Sequence, residues 1–530
     1  MMIEGKHIIG FEQIAKGESC FYAVDPVTGN KLDHRFYNVT TDEINYAISK
    51  AVSAFVLYRK KSGVEKAAFL ECIADEIIAL GDELINCCNA ETALPKARLE
   101  GERTRTINQA KLFAALLKEG SWVDARIDTA LPHRQPIARP DIRYMQIALG
   151  PVTVFGASNF PLAFSVAGGD TIAALAAGCP VICKAHPAHP ATAELVAKAI
   201  QAAAIKTNMP DGVFSLLFAE GISAGLQLVQ HPGVKAVAFT GSFKGGKALF
   251  DAAAAREEPI PVYAEMGSIN PVFVLPEALE KYGEKIATGF SNSVTLGVGQ
   301  FCTNPGMLVY KNAGKQNNFD DQLKNAFQNT TGGVMLTQNM YDNYNAGVAN
   351  RLTNKDVVLL VKSGTDAGGN TANPVLLKTN FIGLKNDLCL NEELFGPASL
   401  VVEAISKNEM MAIAENLSGH LTATIHGTEN DLIGYKDLLD ILEQKVGRIV
   451  INGFPTGVEV CTAMVHGGPY PATTDARSTS VGTAAINRFT RPVCYQDMFQ
   501  HLLPEELKNE NKLNIWRQIN GVQTQSDVEM

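Results

Sequence analysis

Apolar residues at Ile44, Ala47, Ile48, Ala51 and Phe55 recur at the three- and four-residue spacing of one helix face. Thr40-Thr41-Asp42-Glu43 stands just before them and reads as a capping box, a hydroxyl and a carboxylate three positions apart that satisfy the first unpaired N–H groups. Ser62-Gly63-Val64-Glu65 repeats the signal, so helices dominate the first third. From about Trp122 to Gly150 the pattern becomes short polar–apolar alternation broken by Pro132, Pro136 and Pro140, which predicts an extended excursion or hairpin. A regular rhythm follows, with strands predicted near Val152–Phe155, Pro180–Lys184, Val213–Phe218, Val234–Thr240 and Val262–Glu265, separated by Ala-rich helical stretches. Strand, helix, strand in that order implies a doubly wound parallel sheet with right-handed crossovers. A second alternating region runs from Gly267 to about residue 470. In the tail, Glu505 to Lys512 reads as a polar helix.

Composition narrows the class. The 530 residues are 46% hydrophobic and 19% charged, enough for large packed cores. A net charge of −9 without a basic patch argues against nucleic acid or an anionic membrane as a partner. The opening Met1-Met2-Ile3-Glu4-Gly5-Lys6 lacks a basic segment followed by a long apolar one, and the most apolar run, Val166 to Cys183, is broken by Asp170 and several glycines. Ten cysteines without regular spacing fit a reducing compartment. The expected location is the cytoplasm, where Asn38-Val39-Thr40 is a chance glycosylation match.

Most cysteines sit in apolar stretches as structural thiols, but Cys302 lies in Val298-Gly299-Gln300-Phe301-Cys302-Thr303, among residues that offer a thiolate polar donors. Upstream, Tyr263-Ala264-Glu265-Met266-Gly267-Ser268 supplies a carboxylate. A thiol on a Gly-flanked turn with a Glu to activate water is the equipment for oxidising an aldehyde through a thioester. Five further segments stand in a consistent order: Gly156-Ala157-Ser158-Asn159-Phe160-Pro161, Val181-Ile182-Cys183-Lys184, Phe239-Thr240-Gly241-Ser242, Glu392-Glu393-Leu394-Phe395-Gly396-Pro397 and Val450-Ile451-Asn452. Together they resemble the aldehyde dehydrogenase superfamily over roughly residues 20 to 495.

The resemblance implies an α/β fold with a Rossmann-type parallel-sheet cofactor domain (1–121 and 151–266), an α/β catalytic domain (267–470), and a small oligomerisation arm with the C-terminal tail (122–150 and 471–530). It implies a homodimer or homotetramer. Cys302 becomes the nucleophile, Asn159 the oxyanion donor beside the Cys302 backbone N–H, and Glu265 the base that hydrolyses the thioester. The turn Thr240-Gly241-Ser242, running to Gly246, opens a helix and offers N–H groups and a dipole end to a pyrophosphate. Lys184 resembles the lysine that binds the adenosine ribose or a 2′-phosphate, and Glu393 the carboxylate on the nicotinamide ribose; Phe395 and His186 join the cofactor set. Where NAD-preferring members often carry a Glu three residues after that lysine, this chain has Pro187, so NADP is the expected cofactor with NAD possible. Cys183, His186 and His189 mimic clustered ligands, but a buried strand thiol points away from loop histidines, and no metal is expected.

For the substrate, the run Val465 to Asp475, with Gly299–Gly306 and Ala185–Pro190, looks like the branch containing 2-oxoglutarate semialdehyde dehydrogenases; NADP-type fatty aldehyde dehydrogenases are its neighbours. The first substrate needs a cation for its carboxylate, for which Arg103, Arg105 and Arg477 are candidates; the second needs an apolar tunnel. A catalytically idle binding protein on the same fold is the remaining reading, opposed by the presence of nucleophile, base, oxyanion donor and nucleotide residues together.

Overall fold

All five expected strands form in the computed structural model, which describes residues 2–311, 318–365 and 368–529. Val152–Phe155 lies centrally, with Val181–Lys184 and Phe214–Leu217 to one side and Ala236–Thr240 and Val262–Glu265 to the other, all parallel. Strand order therefore reverses between Val152–Phe155 and Ala236–Thr240. In such a sheet the crevice for a ligand opens at the carboxyl ends beside that switch point. The Asn159 loop and the Thr240-Gly241-Ser242 turn leave from those two ends. The short strands His7–Ile9 and Glu12–Ile14 extend the sheet antiparallel at its Phe214–Leu217 edge, an addition that three-residue strands do not announce in sequence.

Both capping boxes form: Thr40 and Ser62 each accept from the N–H three residues on, while Glu43 and Glu65 accept from the cap N–H groups. One sheet face is covered by helices Gly63–Ala79, Lys96–Glu119 and Pro190–Lys206, the other by Thr41–Tyr58, Ser223–Gln230 and Phe243–Ala254. Covering both faces explains why the strands read as continuous apolar runs.

The second alternating region builds another seven-stranded sheet, ordered Val358–Lys362, Val375–Asn380, Ala398–Ala404, Met307–Lys311, Val272–Val274, His420–His426, Val446–Ile451. Only its first pair is antiparallel. The proline-punctuated excursion and the tail meet in a five-stranded sheet, Thr490–Gln496 with Ile142–Ala148, Arg126–Asp128, Arg517–Ile519 and Val522–Thr524. Here one expectation is corrected: the polar stretch after Glu505 forms a single 3-10 turn, Glu505–Leu507, and then runs non-helical. Buried guanidinium groups explain it, because Arg143 donates to the Leu507 carbonyl and Arg517 to those of Lys508 and Asn509, acceptors a continuing helix would need. No helix among the described residues is long and apolar enough to cross a membrane.

Candidate active site

Helix Pro276–Thr295 ends in a turn where Gly297, Val298 and Gly299 all take positive φ (56°, 59° and 64°), and Cys302 follows. At Gly299 a Cβ would fall 2.1 Å from the Gly396 carbonyl oxygen, so only glycine lets the turn before Cys302 lie against the Glu393–Pro397 segment. Val298 is β-branched and pays backbone strain there. Side chains brace the loop: Gln300 Oε1 accepts from the Leu336 N–H at 3.0 Å, and Asn270 Nδ2 donates to the carbonyls of Cys302 and Asn304, each at 2.9 Å. Asn159 Nδ2 donates to the Gln300 carbonyl at 2.9 Å, which puts an amide from the first parallel strand's loop two residues from the thiol.

Glu265 ends its strand only 3% exposed and accepts from Ser480 Oγ at 2.9 Å. Its Oε1 lies 2.9 Å from His466 Nε2, which in turn lies 3.4 Å from Cys302 Sγ. Sulfur, imidazole and carboxylate atoms fall within 4.8 Å of one another. Burial pushes the Glu265 carboxyl up, but His466, Ser480 and Cys302 outweigh it and hold the group below the usual carboxylate range. Cys302 moves the other way: burial first, then the charge of Glu265, push its thiol well up, with Arg105 opposing. The resting site thus pairs an ionised carboxylate with a protonated thiol. Sequence reading quoted His466 inside a segment but assigned it no role, because nothing local shows that residue 466 reaches residues 265 and 302.

The helix Lys96–Glu119 presents Arg98, Glu102 and Arg105 on one face, at spacings of four and three. Arg98 Nη2 donates to the Asn159 carbonyl at 2.7 Å, with its guanidinium over the rings of Phe160 and Phe301. Glu102 accepts from the N–H groups of Leu162 and Ala163, fixing the turn after Asn159. Arg105 stacks on Phe164 at 4.9 Å, and its charge bears on Cys302 and Glu265. The three arginines expected at the channel therefore part company. Arg103 is one residue off this face and donates to the Gly81 carbonyl, and the Arg477 side chain is 91% exposed and pairs with Asp475, so neither reaches the thiol in this arrangement. Two cations went unnoticed in the sequence: Arg98, and Arg448, whose Nη atoms donate to the carbonyls of Gly457 and Pro455 and whose charge interacts with Cys302.

Residues 14–491 match the aldehyde dehydrogenase family, ending just past the last element that touches this constellation. The chain belongs to that family. Alpha-ketoglutaric semialdehyde dehydrogenase 2 of Azospirillum brasilense is 49% identical over 523 residues, covering 98% of this chain and 99% of its own. Alpha-ketoglutaric semialdehyde dehydrogenase of Acinetobacter baylyi is 44% identical over the same length, with the same coverage. Among solved structures, lactaldehyde dehydrogenase from Escherichia coli superposes with a TM-score of 0.79 at 20% identity, over 93% of this chain and 98% of that one.

Aldehyde dehydrogenases work with NAD or NADP, and the crevice beside the switch point fits such a nucleotide. Ser242 caps helix Phe243–Ala254 through the Gly245 N–H at 3.2 Å, and the turn Gly241–Lys244 is exposed, so helix-terminal N–H groups face open space. Thr240 pairs in register with Glu265, and the Gly241 N–H donates to the Glu265 carbonyl, which ties this turn to the buried carboxylate. Gly246 is buried against Met266, where a Cβ would meet sulfur at 2.8 Å; it lets the helix approach the sheet. Lys184 ends its strand with its ammonium pushed down to about 8 by burial, while the exposed Glu220 adds negative charge beside it. His186 stacks on His189 with ring centroids 5.5 Å apart, and its Nδ1 accepts from the Ala188 N–H. Across the crevice the Glu393 carboxylate reaches over Gly267, and Phe395 follows half-buried. Glu393 keeps a solvent-facing surface, while crowding by the crevice walls and the charge of Glu265 push its carboxyl up to about 8.

Proposed function

We propose that this aldehyde dehydrogenase oxidises 2-oxoglutarate semialdehyde to 2-oxoglutarate, with NADP preferred over NAD. The observation that carries the substrate is Arg105: a guanidinium electrostatically coupled to the nucleophile, whose buried Nε and Nη2 have no hydrogen-bond partner among the described residues. Donors left like that are costly unless an anion completes them. Arg448 Nε and Arg98 Nη1 share the condition, so the surroundings of Cys302 suit a substrate carboxylate better than an alkyl chain. The names of the 49% and 44% identical relatives support the same substrate.

In this reading Cys302 Sγ bonds to the aldehyde carbon while Asn159 Nδ2 and the Cys302 N–H hold the oxyanion. A bound nicotinamide nucleotide would supply the hydride acceptor, held by Lys184, Ser242 and Glu393. Glu265 then takes a proton from water, which hydrolyses the thioester. Pro187 and the Lys184 cation favour NADP, and the five-stranded sheet is the proposed dimer or tetramer contact of a cytoplasmic enzyme.

The test compares kcat/KM for 2-oxoglutarate semialdehyde and pentanal, a neutral aldehyde of equal length. Wild type should prefer the acid, and Arg105→Ala should erase roughly 10-fold or more of that preference through KM, since a charged hydrogen bond is worth about 1.5–3 kcal/mol. Equal losses for both aldehydes would remove Arg105 as the anchor. A wild type favouring long-chain aldehydes would overturn the substrate.

A further inference from the structure

We propose that His466 is a catalytic residue: its Nε2 takes the thiol proton of Cys302 as sulfur attacks the carbonyl, and holds it between sulfur and Glu265 until the thioester breaks. The inference rests on Cys302 being the nucleophile, as in the reading above, and adds the group that generates the thiolate. Nε2 is 3.4 Å from Sγ and 2.9 Å from Glu265 Oε1, so one nitrogen faces both partners. The imidazole is fixed from several sides. Its backbone N–H donates to Thr479 Oγ1 at 2.9 Å, its carbonyl accepts the Ser480 N–H at 2.8 Å, and the Phe164 ring lies 6.0 Å from it, centroid to centroid. Ser480 Oγ is 2.9 Å from Glu265 Oε2 and 3.1 Å from the His466 carbonyl, so one hydroxyl ties base and imidazole into a unit. Base, imidazole and the third group that orients them are the parts an activated nucleophile needs.

The step balances without any further reactant. In the resting site Nε2–H donates to the Glu265 carboxylate. In the tautomer with that hydrogen on Nδ1 the Nε2 lone pair is free for sulfur, with Ser480 Oγ still donating to Glu265. There the S–H bond breaks, its electron pair forms the S–C bond, the carbonyl π pair moves to oxygen, and the proton forms a new N–H at Nε2. The imidazolium so made donates toward the Glu265 carboxylate, which stays ionised for its later work on water. When the thioester is hydrolysed, sulfur leaves with its electron pair and recovers that proton. Burial makes a thiolate hard to form by loss of a proton to water, and this raises the need for an acceptor within reach. Charged groups facing the pair are Glu265, Arg105 on helix Lys96–Glu119, Glu393, Arg448 and, beyond Glu265, Asp170.

The measurement is the rate of Cys302 alkylation by iodoacetamide from pH 5 to 10, with Cys302→Ala as the blank. Wild type should already react at pH 7 and gain little more by pH 10, because the acceptor for the thiol proton is built into the site. In His466→Gln the rate at pH 7 should fall 10-fold or more and return near pH 10, and the acylation burst at pH 7 should fall by roughly 10²-fold, the usual scale for a general base. Binding of NADP, read by thermal shift, should not change. Imidazole added to His466→Ala should restore part of the pH 7 rate. Either of two results overturns the proposal: a His466→Gln profile superimposable on wild type, or wild-type reactivity that rises only above pH 9, a measurement that needs no folded variant. A Glu265→Gln profile that shifts while His466→Gln does not would move the role to Glu265. Failure of the nucleophile reading looks different, since Cys302→Ala would then retain turnover.

Discussion

The Glu265 carboxylate is kept ionised by His466 and Ser480 despite burial, and in the proposed reaction it is the base that activates water. Glu265→Gln keeps the shape but cannot take a proton from water, so rapid mixing with aldehyde and NADP should show a stoichiometric burst of reduced cofactor followed by turnover lowered by roughly 10²-fold or more. Burst and steady state falling together would place the damage before hydrolysis. Lys184 carries a pH dependence of its own. Burial depresses its ammonium to about 8, so the charge is complete well below that pH and is lost as pH rises through it. The ratio of KM for NAD to KM for NADP should therefore decline between about pH 7 and 9, as the cation that attracts a 2′-phosphate disappears. A ratio constant over that window would remove Lys184 as the group that reads the phosphate.

Helix Lys96–Glu119 acts as a single positioning element, because its 3.6-residue period brings Arg98, Glu102 and Arg105 onto the loop that carries Asn159. Glu102 is buried and receives two backbone N–H groups through one oxygen. Glu102→Ala should leave both donors unpaired, at about 1–3 kcal/mol each, and should lower kcat more than it raises KM because Asn159 drifts from the oxyanion. Denaturant unfolding and steady-state kinetics on the same preparation check the two halves. A stable variant of normal kcat would mean that the loop holds itself. This face was open to sequence reasoning: a helical period separates position 103 from 98, 102 and 105, and applying it would have set Arg103 aside. Arg477 offered no such signal, since its exposure depends on how the loop to Ser480 packs on strand Val262–Glu265.

Across the whole molecule, nucleotide crevice and thiol chemistry draw on separate segments that meet at Glu265, whose strand pairs with the strand carrying Thr240. Cys302→Ala should abolish aldehyde oxidation yet keep the stabilisation by NADP, about 2.7 kcal/mol at one hundred times Kd, read as an unchanged thermal shift. A lost shift would show that the thiol loop also builds the crevice. The amino-acid sequence by itself determined what depends on near neighbours: the capping boxes at Thr40 and Ser62, the five strands of the parallel sheet, the Gly-flanked turn at Cys302 and the motifs of an aldehyde dehydrogenase. Tertiary structure alone decided which of three arginines faces the thiol, why the stretch after Glu505 is not helical, and that His466 stands between Cys302 and Glu265. Those outcomes rest on contacts the sequence does not announce, and on burial that strips water from a charge. His466 lies 164 positions from Cys302 and 201 from Glu265, Arg143 lies 364 from Leu507, and Arg517, only nine from Lys508, is buried against it by the fold. For Cys302, His466, Glu265 and Arg105 no short window contains both partners, so their chemistry becomes legible only after the chain has folded.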